Sequence, residues 1–98
     1  MLKDGIPSQF KLAGNTIKVR VVPRSKWRHG KDCVGLWDAT KNQIDILATL
    51  DPVARQQTFC HEMNHAMLDV AGHPDLSQDE NFVDRMAYLL HQALTTFE

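Results

Sequence analysis

Asp51-Pro52-Val53-Ala54-Arg55-Gln56-Gln57-Thr58-Phe59-Cys60-His61-Glu62-Met63-Asn64-His65-Ala66-Met67-Leu68-Asp69-Val70-Ala71-Gly72 is the stretch on which the fold turns. Asp51 is a good helix N-cap, Pro52 suits the first helical position, and neither proline nor glycine interrupts the chain again before Gly72. The stretch therefore predicts a helix of about 20 residues, some 30 Å long at 1.5 Å per residue. On a wheel of about 100° per residue with His61 at zero, Val53, Cys60, Met63, Met67, Val70 and Ala71 fall between roughly 180° and 280°, a core-facing stripe. His61, His65 and Asp69 fall between about 0° and 80°, on a separate face.

Upstream of this helix the period is two. Residues 10 to 22 alternate on either side of Gly14-Asn15, with Ile17, Val19 and Val21 on one face, and predict a β-hairpin. Pro23 ends it, and the polar run Arg24 to Asp32 is a loop. Cys33 to Trp37 and Gln43 to Leu47 are two further β-prone runs joined by Asp38 to Asn42, a second hairpin in which Ile44 and Ile46 face a covered side and Asp45 does not. Downstream, Gly72-His73-Pro74 stops the long helix. A second helix is expected from about Ser77 to Phe97, with Phe82, Met86, Leu89, Leu90, Ala93, Leu94 and Phe97 in helical register. The expected architecture is α+β: one domain over residues 1–98, a small antiparallel sheet followed by an active-site helix and a C-terminal helix.

The bulk numbers agree with one small globular unit. The chain has 98 residues, 43% hydrophobic and 23% charged, with 11 basic and 12 acidic side chains giving a net charge of -1. That balance disfavours disorder and a nucleic-acid partner. Arg20, Arg24, Lys26, Arg28 and Lys31 cluster, but without aromatic interleaving they read as a solvated loop. Met1 to Phe10 lacks the apolar run of a secretory signal, and no run approaches the roughly 20 apolar residues that cross a bilayer. Cys33 and Cys60 form no Cys-x-x-Cys unit and read as reduced thiols, Cys60 filling core space. Cytoplasmic location without membrane association is the expectation.

His61-Glu62-Met63-Asn64-His65 is a His-Glu-x-x-His motif in mid-helix. Positions i and i+4 lie one above the other about 6 Å apart, so two imidazoles can reach one ion from the same side. Zinc takes such nitrogens at about 2.0 to 2.1 Å and in catalytic sites keeps one position for water. Glu62, about 100° round from His61, is placed to reach that water as general base and later as proton donor to a leaving amine. A third protein ligand is required. Leu68 and Ala71 stand where a second glycine-histidine extension of the motif would be, and His73 begins about 12 Å along the axis from His65. Glu80 is the favoured third ligand, with Asp79 behind it. Ser77-Gln78-Asp79-Glu80 also fits a capping box that would occupy Glu80, whereas Asp75-Leu76-Ser77-Gln78 offers an equal box one turn earlier. Asp69 and Asp84 are candidates to orient the histidines, His91 reads as a packing or surface residue, and Tyr88, Arg85 and His73 are candidate oxyanion donors.

This motif, the glutamate fifteen residues beyond its second histidine, and the segment Glu80-Asn81-Phe82-Val83-Asp84-Arg85-Met86-Ala87-Tyr88-Leu89-Leu90-His91-Gln92-Ala93-Leu94 resemble the minimal gluzincins, zinc metallopeptidases of phages and prophages, with the ImmA/IrrE-like peptidases as wider relatives. The resemblance extends back through Leu36-Trp37-Asp38 and the strand containing Ile44. It implies a zincin-like fold, Zn2+ as cofactor, Glu80 as third ligand, a Gln43 to Leu47 strand flanking the cleft, and a protein or peptide substrate in a bacterial host cell. Two other functions are compatible with the residues: a non-catalytic zinc-binding module, and a phage-associated interaction protein in which the motif is incidental. Glu62 separates them from the enzyme, because a closed structural zinc site has no use for an acid beside the metal.

Overall fold

The computed structural model describes residues 5–98; Met1 to Asp4, part of the stretch read above as unable to act as a secretory signal, lie outside the described residues. Strands β1 (Gln9–Leu12) and β2 (Asn15–Val22) form the expected hairpin, closed by a two-residue turn in which Ala13 and Gly14 both take positive φ, 50° and 82°. Strands β3 (Gly35–Asp38) and β4 (Gln43–Leu47) form the second antiparallel hairpin. The four make one sheet in the order β1-β2-β4-β3, in which β2 and β4 run parallel, Val19 beside Ile44 and Val21 beside Ile46.

The sheet is therefore mixed, not antiparallel throughout. The segment from Pro23 to Val34 is long enough to carry the chain across the outer face of the sheet and deliver β3 to the far edge, so that β4 returns into the centre beside β2. Two expectations change with it. β4 is paired on both sides and offers no free edge; the strand bordering the cleft with a free edge is β3. Asp45 is also covered rather than exposed, at 5% accessibility, because the Pro23 to Val34 segment lies over it. Its carboxylate accepts from Arg20 at 2.9 and 3.0 Å and from Gln43 at 3.1 Å, and pairs with His29 at 2.9 Å. Burial alone would lift the Asp45 carboxyl, but hydrogen bonds and charge from Arg20 and His29 hold it below its ordinary value. Trp27, buried in the same segment, stacks edge-on against His29 and donates its indole N–H to Gly30. The basic cluster is thus spent partly on pinning this cover.

Helix α1 (Pro52–Val70) begins as read, with the Asp51 carboxylate accepting from the Ala54 N–H at 2.8 Å. It ends in a Schellman turn: Gly72, at φ 85°, donates to Asp69 and His73 donates to Leu68. Its buried side chains are Gln56, Phe59, Cys60, Glu62, Asn64 and Ala66, whereas Val53 and Met67 of the expected stripe are 57% and 40% exposed. The physical reason is that α1 is packed on two sides, against β3 and β4 on one and the last helix on the other, so no single stripe describes it. The main core joins Ile17, Val19, Ile44 and Ile46 from the sheet to Phe59, Cys60 and Ala87 from the helices, with Phe10 edge-on to Phe59 at 5.7 Å. Burial pushes the Cys60 thiol up to about 11, which leaves it inert as filler.

Beyond α1 the chain makes a single helical turn, α2 (Pro74–Ser77), before α3 (Glu80–Thr95). The C-terminal helix thus starts three residues later than expected. Asp79 is its N-cap, accepting from the Phe82 N–H at 3.1 Å, and neither capping box built on Ser77 or Asp75 forms. α3 returns alongside α1, tied to it by the Asn64 amide, which donates to the Val83 carbonyl at 3.3 Å. Among the described residues no helix is long and apolar enough to cross a membrane.

Candidate metal centre

The helical return brings three predicted residues together. His61 and His65, one turn apart on α1, set their Nε2 atoms 3.2 Å from each other. Glu80, first residue of α3, spans the pair: Oε2 lies 3.3 Å from His61 Nε2 and Oε1 lies 3.2 Å from His65 Nε2. Metal–ligand bonds of about 2.0 to 2.1 Å in a tetrahedron require neighbouring donor atoms about 3.3 to 3.4 Å apart; the two imidazole nitrogens are near that spacing, and one atom from each of the three residues falls within 4.8 Å of the others, so the group could hold one small cation. His61, His65 and Glu80 are the His/Cys/Asp/Glu group that could hold a metal ion among the described residues.

The second nitrogens are also engaged. Asp84, one turn after Glu80, lies 2.7 Å from His61 Nδ1. A carboxylate only accepts, so this partner keeps the proton on Nδ1 and leaves the Nε2 lone pair facing the site. The buried Ser77 hydroxyl is 2.9 Å from His65 Nδ1, and with the proton on that nitrogen it accepts and leaves the second Nε2 facing the site as well. Asp84 therefore stands in direct contact with a histidine of the motif. Asp69 does not: its carboxylate receives the Trp37 indole N–H at 2.7 Å, tying β3 to the end of α1. Asp79 is spent on capping α3, His73 is exposed at the entry to α2, and His91 pairs with Gln56 at 3.2 Å as a packing residue. Of the three oxyanion candidates, Tyr88 shares a hollow with His61.

Glu62 projects between α1 and the edge of the sheet, 8% exposed, beside the three donors. Burial raises its carboxyl above the ordinary value; the nearby His61 and His65 and a hydrogen bond from the Trp37 backbone N–H oppose that shift, while the Glu80 charge adds to it. The Trp37 contact follows from the pairing pattern. Leu47 N–H bonds Val34 C=O, so Val34 and Leu36 turn their backbone groups toward β4, while Gly35 and Trp37 turn theirs outward. Of these outward groups, Trp37 N–H meets Glu62 and Gly35 C=O accepts from the Cys33 thiol at 3.0 Å.

Gly35 permits this approach. A Cβ there would stand 2.5 Å from Thr58 Cγ2, 3.2 Å from Glu62 Cγ and 3.3 Å from Glu62 Oε2, so only a bare backbone brings β3 this close to α1. Sequence reasoning missed Gly35, although an isolated glycine inside a strand pattern is a signal of such contact. It also missed Ser77, whose identity as a helix-capping type concealed its tertiary partner. No protein-family model matches the chain, and no curated protein or solved structure is significantly similar to it.

Proposed function

We propose that this protein is a zinc-dependent metallopeptidase of the minimal gluzincin type, with His61, His65 and Glu80 as metal ligands and Glu62 as general base. The observation that carries the reading is the convergence of three metal donors, each imidazole held by its own acceptor, beside a buried carboxylate that no donor of the triad needs for its own placement. Bound there, zinc would supply a Lewis acid and lower the pKa of a coordinated water to near 7. Glu62 then takes a proton from the attacking water on its carboxylate and returns it to the leaving amine nitrogen. Trp37 holds Glu62 in place through the backbone, and Asp84 and Ser77 hold the imidazoles so that neither turns away. The free edge of β3 borders the site and suits an extended peptide, which would pair with backbone groups regardless of its sequence.

The cytoplasm of a bacterial host fits two free thiols, and a protein or peptide is the substrate class. A non-catalytic zinc module accounts for the triad but gives no role to a buried acid beside it. Zinc content and cleavage of a mixed peptide library, measured on the parent, Glu62→Gln and Glu80→Ala, test the proposal. The expected outcome is a zinc-loaded but inactive Glu62→Gln and a Glu80→Ala that loses zinc. A Glu62→Gln protein that cleaves at the parental rate, or a parent that takes up no zinc, would refute it.

A further inference from the structure

The net charge of -1 conceals a separation. Residues 5–50 carry eight lysines and arginines against three acids, whereas residues 51–98 carry two against eight. The first segment makes the sheet and its cover and the second makes the helices, so the molecule has a basic side and an acidic side. Alternation along the strands places the basic one. Phe10 of β1 and Ile17 and Val19 of β2 face the helices as core, so Lys11, Lys18 and Arg20 fall on the opposite, outer face of the sheet. The Pro23 to Val34 segment lies over that same face and adds Arg24, Lys26, Arg28 and Lys31, all exposed.

Of these, Arg20 is neutralised by Asp45. Lys11, Lys18, Arg24, Lys26, Arg28 and Lys31 form no ion pair among the described residues, although Arg28 gives one guanidinium nitrogen to the Ser25 and Trp27 carbonyls. Six like charges gathered on one face repel each other. The segment that carries four of them is held down by the buried Trp27 and by the contact of His29 with Asp45, so a partner meets charges already in place and the ordering cost of binding is small.

The chemistry of the face narrows the partner. The exposed aromatic side chains, Tyr88 and Phe97, belong to the helical half, so this face has no platform on which unpaired bases could stack. The exposed large aliphatic side chains within residues 5–50 are Val21 and Val34, too little apolar surface to enter a bilayer interface. What remains is attraction to a dense row of phosphates, and a duplex carries one negative charge per about 1.7 Å of its axis. The same polyanion repels the acidic helical side, which fixes the direction of approach.

We infer that the outer face of the sheet, with its Pro23 to Val34 cover, binds the phosphate backbone of duplex nucleic acid without reading its sequence, and leaves the metal centre on the far side of the sheet. The expectation against such a partner, drawn from the overall charge balance, is reversed by where the charges sit, and the inference stands apart from the peptidase reading. Fluorescence anisotropy with short DNA and RNA duplexes and a single strand, and cosedimentation with phosphatidylserine vesicles, test it. Either duplex should bind with micromolar affinity at about 50 mM salt, with log affinity falling against log salt at a slope of about -3 to -5, as expected if three to five of the charges meet phosphates. Lys11→Gln with Lys18→Gln and, independently, Arg24→Gln with Lys26→Gln should each weaken binding by about 10- to 100-fold and flatten the slope by about 2. Both pairs should keep the parental urea midpoint, because all four side chains are exposed. Gln92→Glu with Ala93→Glu, exposed on α3, changes the net charge by the same amount on the other side and should shift affinity by less than about 3-fold. A control that loses as much as the two pairs, pairs that bind like the parent, no duplex binding at about 50 mM salt, or tighter binding of the single strand or the vesicles would each overturn the inference.

Discussion

Replacing Gly35 by alanine puts a methyl group 2.5 Å from Thr58 Cγ2 and 3.2 Å from Glu62 Cγ, closer than ordinary van der Waals contact to both. Threonine in a helix has few χ1 choices, so its methyl cannot simply swing aside, and the adjustment falls on β3 or on α1. Overpacking of this kind costs about 1 to 3 kcal/mol, against which the stiffer unfolded chain of an alanine variant returns about 0.4 to 1 kcal/mol. A net loss of about 1 to 2 kcal/mol is expected, or roughly 4 to 16 °C in melting temperature for a chain of this size. Thr58→Ser deletes the offending methyl; alone it costs about 0.8 kcal/mol for one buried carbon, but in the Gly35→Ala background it should restore stability. Urea unfolding of the four proteins gives the coupling directly: the double variant is expected to be more stable than the sum of the single effects by about 1 kcal/mol or more. Additive penalties would refute the close approach of β3 to α1, and with it the account of how Glu62 is held.

Three other outcomes follow from the same geometry. Ser77→Ala and Asp84→Ala each free one imidazole, and each should weaken zinc binding by about 10- to 100-fold in a competition titration with a chelating dye; unchanged affinity would show that the rings are fixed by packing alone. Glu62→Gln removes a carboxyl whose folded pKa is raised, and a raised acid stabilises the fold only while protonated. Its metal-free form should therefore gain on the parent as pH climbs above the unfolded value of about 4.3, read from urea midpoints, and a gap independent of pH would contradict the burial argument. Asp45→Ala deletes the acceptor of Arg20, His29 and Gln43 and should cost about 1 to 3 kcal/mol at neutral pH. Because the Asp45 pKa is lowered by folding, its contribution is complete above about pH 4 and fades as pH falls through the folded value, so the two unfolding curves should converge in acid.

What the sequence disclosed is what short-range chemistry controls. The Asp51 cap, Pro52, the Gly72 stop, both hairpins and the stacking of His61 on His65 each depend on residues within about one or two turns, and Asp84 follows Glu80 by the same helical period, whereas Glu80 itself was picked out by the resemblance and meets the histidines only because α3 returns along α1. The order of strands was not legible, because two hairpins of identical pattern can join side by side or interleave, and only the path of Pro23 to Val34 decides. The core face of α1 was misplaced because Gln56, Glu62 and Asn64, polar by type, are buried between two layers. Ser77, Asp69 and Trp37 escaped for a related reason: their partners lie 12 or 32 residues away, and nothing local marks a hydroxyl, carboxylate or indole as already promised to a distant group.

The outer margin of β3 also bears on how the molecule behaves in a crowd. A strand at the rim of a sheet with open backbone groups invites other chains to add themselves, the usual start of aggregation. This rim is only four residues long, and two of its outward groups are already answered within the chain, the Trp37 amide by Glu62 and the Gly35 carbonyl by Cys33. The same contacts that seat an acid beside the histidines thus leave only part of this margin, the Gly35 amide and the Trp37 carbonyl, for an incoming strand to use.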